Sequence, residues 1–281
     1  FAVDGYRYGG EDHYRTKELL EVTNQLDSLK HLVLIDYLRE KPKNLEFDGS
    51  YAKWEDMLSG DDVTRENFHF ERVASDHPLW VLYSSGTTGL PKAIVHGHHG
   101  ILMEHYKSAA FHFDLKKGDC QFFYSTTGWM VWNTLMWGPL MNGTSVLYDG
   151  SPTHPGIHFM WELASKTNTT LFATSPTYLQ IVKKQKFVPS ENFNFVNLKT
   201  VMLVGSPATP DSFAWVYQNV KDDIWVASQS GGTEFCSGLL AGAPILPVLA
   251  GEIQARGLGT DAQAFDDEGN EIVGEIGELV I

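Results

Sequence analysis

The sequence is poor in cysteine, contains no long hydrophobic run and has no excess of positive charge. Only two cysteines, Cys120 and Cys236, occur among its 281 residues. This is too few for a disulfide framework or a cysteine-based metal site, and it fits a reducing cytosol. No apolar run approaches the ~18 residues that a membrane-spanning helix needs. The net charge of −14 argues against non-specific nucleic-acid binding and against an anionic membrane surface, because both require a basic face.

What is present is the composition of a globular protein, with 43% hydrophobic and 20% charged residues. The length fits one large domain or two ordinary ones. The chain opens at Phe1 without a methionine and stops at Ile281 within a strand-like pattern. We therefore expect a piece of a longer polypeptide, truncated at both ends. The sequence specifies no oligomeric state.

Short β-rich runs alternate with amphipathic stretches through the middle of the chain. Several of these runs are apolar almost throughout, as expected of strands covered on both faces, so the alternation predicts a mostly parallel α/β fold. The predicted strands are 31–36, 79–85, 121–126, 144–150, 169–175, 198–205 and 223–230. The predicted helices are 98–112, 156–167, 176–186 and 210–220, and Pro176 and Pro210 stand at helix starts with Ser175 and Thr209 as N-caps.

The two flanks of this region have a different texture. After residue 245, apolar and polar residues alternate around a "DDEGN" turn, which is typical of antiparallel hairpins. Segment 40–70 is charged and irregular, and we expect it at the surface with a short helix around 51–58.

A loop of glycines and small hydroxylated residues follows the apolar run 79–83. Glycine allows the backbone to turn several N–H groups toward one point, and hydroxyls add further donors. Lys92 supplies a cation near the same point. An ordinary surface turn is the alternative, but the buried strand expected before the loop and Pro-Lys after it favour a phosphate site. The loop residues are Ser84, Ser85, Gly86, Thr87, Thr88 and Gly89.

The loop is not a Walker A motif. In that motif a lysine directly follows the second glycine and a serine or threonine follows the lysine. Here Leu90 and Pro91 separate Gly89 from Lys92, and alanine comes next. The G-x-G-x-x-G pattern of dinucleotide-binding folds is also absent from the loop.

The stretch "YSSGTTGLPKAIVH" (83–96) resembles the glycine-rich signature of the adenylate-forming enzymes, the superfamily of acyl-CoA synthetases, luciferases and peptide-synthetase adenylation domains. Four further blocks resemble that superfamily in the same order. They are "YSTTGWMVWNTLMWGPLMNGTSVLYDGSP" (124–152), "LVGSPATP" (203–210), "WVASQSGGTEFCSG" (225–238) and "GEIGELVI" (274–281).

The resemblance implies an α/β fold that forms part of the large N-terminal, acetyl-CoA synthetase-like domain. It has mostly parallel sheets flanked by helices, with antiparallel hairpins near the C-terminal end. It divides the chain into an incomplete N-terminal portion (1–78), an ATP-binding βα core (79–245) and the start of a β-rich subdomain (246–281). The superfamily's ribose-binding aspartate, its mobile C-terminal domain with a catalytic lysine, and its N-terminal coenzyme A contacts would lie outside the chain.

The resemblance also implies the chemistry: a carboxylic acid is activated by MgATP and the acyl group passes to coenzyme A. Thr87, Lys92, Thr233 and Glu234 would be catalytic. The loop would hold the β- and γ-phosphates, Thr233 would contact the α-phosphate and Glu234 would bind Mg²⁺. The adenine and AMP contacts implied are Gly205, Ser206, Pro207, Ser228, Gln229, Ser230, Gly231, Gly232 and Thr233.

The blocks look most like those of the acyl-CoA synthetases that activate acetoacetate. In acetate-activating relatives a tryptophan stands three residues before the glutamate and closes the acid pocket. Here that position is Gly231, which suggests room for a longer acid. Trp129, Met130, Trp132 and Asn133 would form the other wall, and we expect Asn133 to meet the keto oxygen.

Other interpretations of this chain remain open. Another short acid, such as acetate, propionate or a branched keto acid, would use the same chemistry, and a non-catalytic relative would only bind nucleotide. The histidines at 96, 98, 99, 105 and 112 lack a metal-binding motif, and 98, 105 and 112 share one helical face, so we expect packing or helix-start roles. His96 is expected to follow a strand after the loop, near the site, and is assigned no role. Cys236 is expected to be a small buried residue and not a nucleophile.

Overall fold

Residues 1–38, 50–58, 63–84 and 89–281 are described by the computed structural model. They fall into two units, one made of residues 1–72 with 149–156 and the other of residues 73–148 with 157–281. Within the described ranges no helix is long and apolar enough to cross a bilayer.

The first unit contains a small parallel sheet and a hairpin. Its elements are β1 (Ala2–Val3), β2 (Gly5–Tyr8), β3 (Glu11–Tyr14), α1 (Thr16–Thr23), β4 (His31–Ile35), β5 (Ser50–Lys53) and α2 (Trp54–Met57). The sheet order is β1-β4-β5, and β2 pairs with β3. The predicted strand 31–36 is β4. The predicted helix 51–58 is only partly right, because residues 50–53 pair in parallel with β4 and the helix is confined to α2.

The second unit carries the remaining elements. In chain order they are β6 (Pro78–Ser84), β7 (Lys92–Gly97), α3 (His98–Lys107), β8 (Cys120–Phe123), α4 (Trp137–Leu140), β9 (Thr144–Val146), α5 (Phe159–Lys166), β10 (Leu171–Thr174), α6 (Pro176–Lys184), α7 (Pro189–Asn192), β11 (Thr200–Leu203), α8 (Pro210–Asn219), β12 (Trp225–Ser228), β13 (Ser230–Gly232), β14 (Ser237–Ala241), β15 (Ala255–Arg256), β16 (Gln263–Phe265), β17 (Glu271–Ile272) and β18 (Glu278–Val280). A π-helical turn (Ser108–His112) continues α3, and a 3-10 helix (Met130–Met136) precedes α4.

A five-stranded, fully parallel sheet forms the centre of this unit, in the order β12-β11-β10-β8-β9. Successive side chains of each strand enter different cores. Phe122 and Val201 pack with Trp161 of α5, whereas Phe123 and Met202 pack with the opposite cluster. Both faces of the sheet are therefore covered, which confirms the parallel α/β prediction.

The strand before the glycine-rich loop does not belong to this sheet. β6 forms an antiparallel hairpin with β7, and Leu79, Val81 and Tyr83 on one of its faces are exposed. The expectation of a buried strand is wrong here, because the run is apolar on both faces while only one face is covered. The strand expected after the loop is β7, which extends through His96 to Gly97 and does not end before His96.

The helix-start prediction holds at both prolines, but only one cap bond forms. The backbone N–H of Tyr178 donates to the Ser175 hydroxyl oxygen at 3.1 Å. Thr209 occupies the N-cap position of α8 without accepting such a bond, because its hydroxyl lies 3.2 Å from the Ser212 hydroxyl.

The C-terminal part folds into antiparallel strands, as predicted. β15 pairs with β14, and β16 lies between β17 and β18. At the turn, Gly269 has φ of 83°, and the N–H of Asn270 donates to the Asp266 carboxylate at 2.7 Å. Hairpin β13–β14 was not predicted, because its glycines carry no β pattern.

Candidate functional site

A cleft of about 580 Å³ opens at the carboxyl edge of the parallel sheet. Phe123 ends β8, Val204 follows β11 and Ser228 ends β12, and all three line the cleft. The strand order corresponds to 2-1-3-4-5 of a doubly wound sheet, which binds ligands beyond the carboxyl ends of its strands. The volume lies in the range typical of small-molecule sites.

The two predicted adenine-binding segments meet in this cleft. Gly205, Ser206 and Pro207 follow β11 and contribute one part of its lining. The segment from β12 into β13 contributes another, with Ser228, Gln229, Ser230, Gly231, Gly232 and Thr233. Parallel neighbours β11 and β12 end at the same edge, which is why segments far apart in sequence come together.

Trp129 is the large aromatic side chain of the cleft, and it is 41% exposed. Gly205 has φ of 93°, and a Cβ added there would lie 3.4 Å from Cη2 of the Trp129 indole. The left-handed backbone at 205 therefore favours glycine, whereas an added Cβ would only reach ordinary van der Waals contact with the indole.

The other predicted acid-pocket residues divide into two groups. Met130 lines the cleft beside Trp129, but Trp132 and Asn133 do not. Trp132 packs against the core cluster that contains Phe123. The side-chain amide of Asn133 donates to the Met130 carbonyl oxygen at 3.1 Å, so its nitrogen is used within the 3-10 helix.

Gly231 lines the cleft, but its lack of a side chain also has a local cause. It faces Gly238 across the β13–β14 hairpin, and an added Cβ would overlap the carbonyl oxygen of Ser237 and lie 3.0 Å from the Cα of Gly238. The space that a side chain would need is therefore partly filled by backbone.

The glycine-rich loop connects the two strands of hairpin β6–β7. Ser84 and Lys92 are cross-strand partners at the hairpin end, and Gly89 has φ of 94°. Lys92 is exposed and makes no ion pair with the described residues. Ser85, Gly86, Thr87 and Thr88 lie outside the described residues.

Thr233 and Glu234 stand where β13 turns toward β14. The Glu234 side chain is exposed and forms no ion pair within the described ranges. Among those residues, no cluster of three or more histidine, cysteine or acidic side chains could hold a metal. The single exposed carboxylate of Glu234 is compatible with a Mg²⁺ bound to nucleotide phosphates, because Mg²⁺ takes most of its ligands from phosphate and water and needs only one or two from protein carboxylates.

His96 is a site residue that sequence reasoning left without a role. Its Nε2 lies 2.8 Å from the Glu234 carbonyl oxygen, and its Nδ1 accepts the Trp80 indole N–H at 3.1 Å. The only signal in the sequence was its place four residues after Lys92, on the same face of a strand.

Two histidines of the α3 region are buried. His112 Nδ1 donates to the Gly242 carbonyl oxygen at 2.8 Å, and its Nε2 accepts the Leu258 N–H at 3.0 Å. His105 is 3% exposed, and its Nε2 has no hydrogen-bond partner among the described residues. Burial lowers the pKa of His105 to about 4, against the raising effect of the Cys236 backbone. These are the expected packing roles, whereas His98 is exposed and begins α3, which is the expected helix-start role.

Cys236 is fully buried, and burial raises the pKa of its thiol to about 12. A thiol with such a pKa is protonated at neutral pH and is a poor nucleophile. The expected structural role fits this environment.

Comparison with protein families gives a match over nearly the whole chain. Residues 8–281 match the family described as "AMP-binding enzyme".

Individual relatives give consistent similarities. The chain is 36% identical over 282 residues to an acetoacetyl-CoA synthetase of Gallus gallus, covering 100% of this chain and 42% of the relative. It is 42% identical over 211 residues to an acetoacetyl-coenzyme A synthetase of Rhizobium meliloti, covering 75% of this chain and 32% of that protein. The solved acetoacetyl-CoA synthetase of Streptomyces lividans superposes with a TM-score of 0.88 at 43% identity, over 99% of this chain and 42% of that one. The chain thus spans less than half the length of these relatives.

The backbone approach at Gly231 predicts a stability cost that is independent of any ligand. Gly231→Ala should lower the free energy of unfolding by about 1–3 kcal/mol, since the methyl group overlaps the β14 backbone. Gly128→Ala is the matched control, because nothing lies within 4 Å of an added Cβ there, and should change it by no more than about 0.5 kcal/mol. Urea unfolding measures both, and equal stability of the two variants would contradict the close approach.

The buried neutral ring of His105 predicts a specific loss of stability at acid pH. Its pKa is about 4 in the folded state and about 6.5 when unfolded, so the unfolded chain binds the proton first and stability falls as pH drops from about 6.5 toward 4. The full effect is roughly 3 kcal/mol. Unfolding measured at pH 7.5 and 4.5 should depend less on pH in His105→Phe than in wild type or in the exposed control His98→Gln. Equal dependence in all three would refute this assignment.

Proposed function

This chain belongs to the AMP-binding enzyme family, and from that membership and the cleft we propose that the complete protein is an acid–thiol ligase. It activates acetoacetate with ATP and transfers the acyl group to coenzyme A, with release of AMP and pyrophosphate. Acetoacetate, ATP and coenzyme A are its small-molecule substrates.

The observation that carries the proposal is the convergence of three separated segments on one cleft. The segments after β8, β11 and β12 supply an aromatic surface, small residues and a row of hydroxyl and backbone donors. A nucleotide needs this combination of a flat apolar surface and polar groups at its edge.

The adenine would lie between segment 205–207 and segment 228–232. Thr233 would then stand near the α-phosphate, because it follows the second segment at the cleft edge. Thr87, Thr88 and the backbone of Gly86 and Gly89 would bind the β- and γ-phosphates.

Lys92 and a Mg²⁺ held by Glu234 would both neutralise negative charge on the nucleotide phosphates. Lys92 would assist the loop in binding the phosphates. Mg²⁺ bound with the nucleotide would neutralise phosphate charge, and Glu234 would hold it. The free Lys92 and Glu234 side chains leave both groups available within the described part of the chain.

The proposed reaction has two steps. A carboxylate oxygen of the acid attacks the α-phosphorus, the bond to the bridging oxygen breaks, and pyrophosphate leaves. The thiol of coenzyme A then loses its proton to solvent, its sulfur attacks the acyl carbon, and the bond between the acyl group and AMP breaks. Thr233 and Lys92 would stabilise the charge that develops on the phosphates, as preorganised donors do in phosphate chemistry.

The choice of acetoacetate rests on similarity to the named relatives and on the Trp129–Met130 wall of the cleft. The absence of a side chain at Gly231 gives only weak support for a longer acid, because the β14 backbone occupies part of the space beside this glycine. Acetate, propionate and a branched keto acid are therefore the competing substrates.

The domain boundaries at 78 and 245 are also part of the proposal, as is the assignment of 79–245 to ATP binding. The antiparallel strands after residue 245 support the start of a β-rich subdomain there. A cytosolic location without nucleic-acid or membrane partners is supported by the net charge of −14 and the two free, buried cysteines.

The test is acid-dependent ATP–pyrophosphate exchange by the complete gene product. We expect exchange with acetoacetate to exceed exchange with acetate or propionate by at least about tenfold in kcat/KM, which corresponds to about 1.4 kcal/mol of discrimination. Glu234→Gln should lower the acetoacetate rate by about a hundredfold.

Each outcome of this assay has a distinct meaning. A preference for acetate or propionate would overturn the substrate assignment and keep adenylation. The absence of exchange with every acid, in a folded protein that binds ATP, would favour a non-catalytic nucleotide-binding relative.

The local hydrogen bond of Asn133 predicts that this residue has little effect on catalysis. Asn133→Ala should change kcat/KM for acetoacetate by less than about twofold, whereas loss of a substrate hydrogen bond costs far more. Trp129→Ala, which removes a cleft wall, should reduce it at least about tenfold. A tenfold loss in Asn133→Ala at unchanged melting temperature would restore Asn133 as the partner of the keto oxygen.

A further inference from the structure

Hairpin β6–β7 carries the glycine-rich loop at one end and a tryptophan–histidine pair toward the other. Trp80 and His96 are cross-strand partners, as are Ser84 and Lys92. Residues 92 and 96 are on one face of β7, because side chains alternate along a strand. They are four positions apart, which is roughly 13 Å along the strand.

The two ring nitrogens of His96 have different partners, and these determine its tautomer. The Trp80 indole N–H can only donate, so His96 Nδ1 is the unprotonated nitrogen of their 3.1 Å bond. The proton is then on Nε2, which donates to the Glu234 carbonyl oxygen at 2.8 Å. Trp80 therefore orients a neutral imidazole that holds one particular carbonyl group.

The residue held in this way lies at a sharp turn. The N–H of Cys236 donates to the Gly232 and Thr233 carbonyl oxygens at 3.1 and 3.2 Å, and Cys236 has φ of 51°. The Glu234 side chain has no ion pair with the described residues. The carbonyl oxygen of the same residue is bonded to His96, so this hydrogen bond holds the backbone from which the Glu234 side chain extends.

We propose that His96, oriented by Trp80, is a positioning residue that fixes Glu234 relative to the phosphate-loop hairpin. This inference rests on the proposed function, in which Glu234 takes the metal of the nucleotide. His96 does not touch that metal and acts through the Glu234 backbone. Mutation of a residue that hydrogen-bonds to a metal ligand typically lowers metal affinity about 10–100-fold.

The experiment measures Mn²⁺ binding to the complete gene product in the presence of ATP, at pH 8, by the electron paramagnetic resonance signal of free Mn²⁺. His96→Phe, which removes both bonds, should raise the dissociation constant about 10–100-fold. His96→Gln should recover most of the affinity, because its amide offers one acceptor and one donor. Trp80→Phe, which leaves His96 without its orienting donor, should give an intermediate loss.

Nuclear magnetic resonance tests the hydrogen bonds without metal or activity. The ¹⁵N shifts of the wild-type imidazole should identify a ring protonated at Nε2 alone, and Trp80→Phe should give a mixture of tautomers. A wild-type ring protonated on Nδ1 would overturn the proposal.

His112→Phe is the matched control, since His112 is a histidine with two backbone partners, Gly242 and Leu258. It should lower the melting temperature and leave Mn²⁺ affinity within about twofold. If His112→Phe and His96→Phe weakened Mn²⁺ binding equally, the His96 effect would be general destabilisation and the proposal would be wrong.

Glu234→Gln distinguishes failure of the proposed metal-binding role of Glu234 from failure of the positioning role of His96. If this variant keeps wild-type Mn²⁺ affinity, the proposed role of Glu234 fails, and the proposal for His96 with it. If Glu234→Gln loses affinity while His96→Phe retains it, the proposed function stands and the positioning role is rejected.

Discussion

The burial of the parallel sheet on both faces is the constraint from which the site follows. Neighbouring residues such as Phe122 and Phe123 enter opposite cores, so neither face of the sheet is available to a ligand. Polar segments must then gather where strands end and the backbone leaves the sheet. β11 and β12 end side by side, and this places segments 205–207 and 228–233 in one cleft.

Close approach of backbone determines much of the shape of that cleft. Gly231 faces Gly238 across a narrow hairpin, and the backbone at Gly205 turns with a φ of 93° near the Trp129 indole. In both places a missing side chain reflects the local path of the chain as well as space for a ligand. A small residue in a signature block is therefore an ambiguous indicator of substrate size, and the large side chains of the wall are more informative.

Hydrogen bonds from histidine to backbone connect the sequence-distant parts of the site. His96 reaches Glu234, and His112 joins Gly242 to Leu258. Neutral imidazoles suit this task, because each has one donor and one acceptor. Hairpin β6–β7 is thereby linked to the turn that carries Glu234 through His96, a residue with no assigned part in the chemistry.

The alternation of apolar runs and helices was sufficient to determine the parallel α/β architecture, and the signature blocks identified nearly all segments that line the cleft. These properties depend on local periodicity and on residue type, which a sequence displays directly. The hairpin pairing of β6, the local bond of Asn133 and the contact between His96 and Glu234 were decided only by the tertiary structure. Each of them depends on which chain segment lies opposite: an apolar run does not specify how many of its faces are covered, and a histidine does not specify which carbonyl group it will meet 138 residues away.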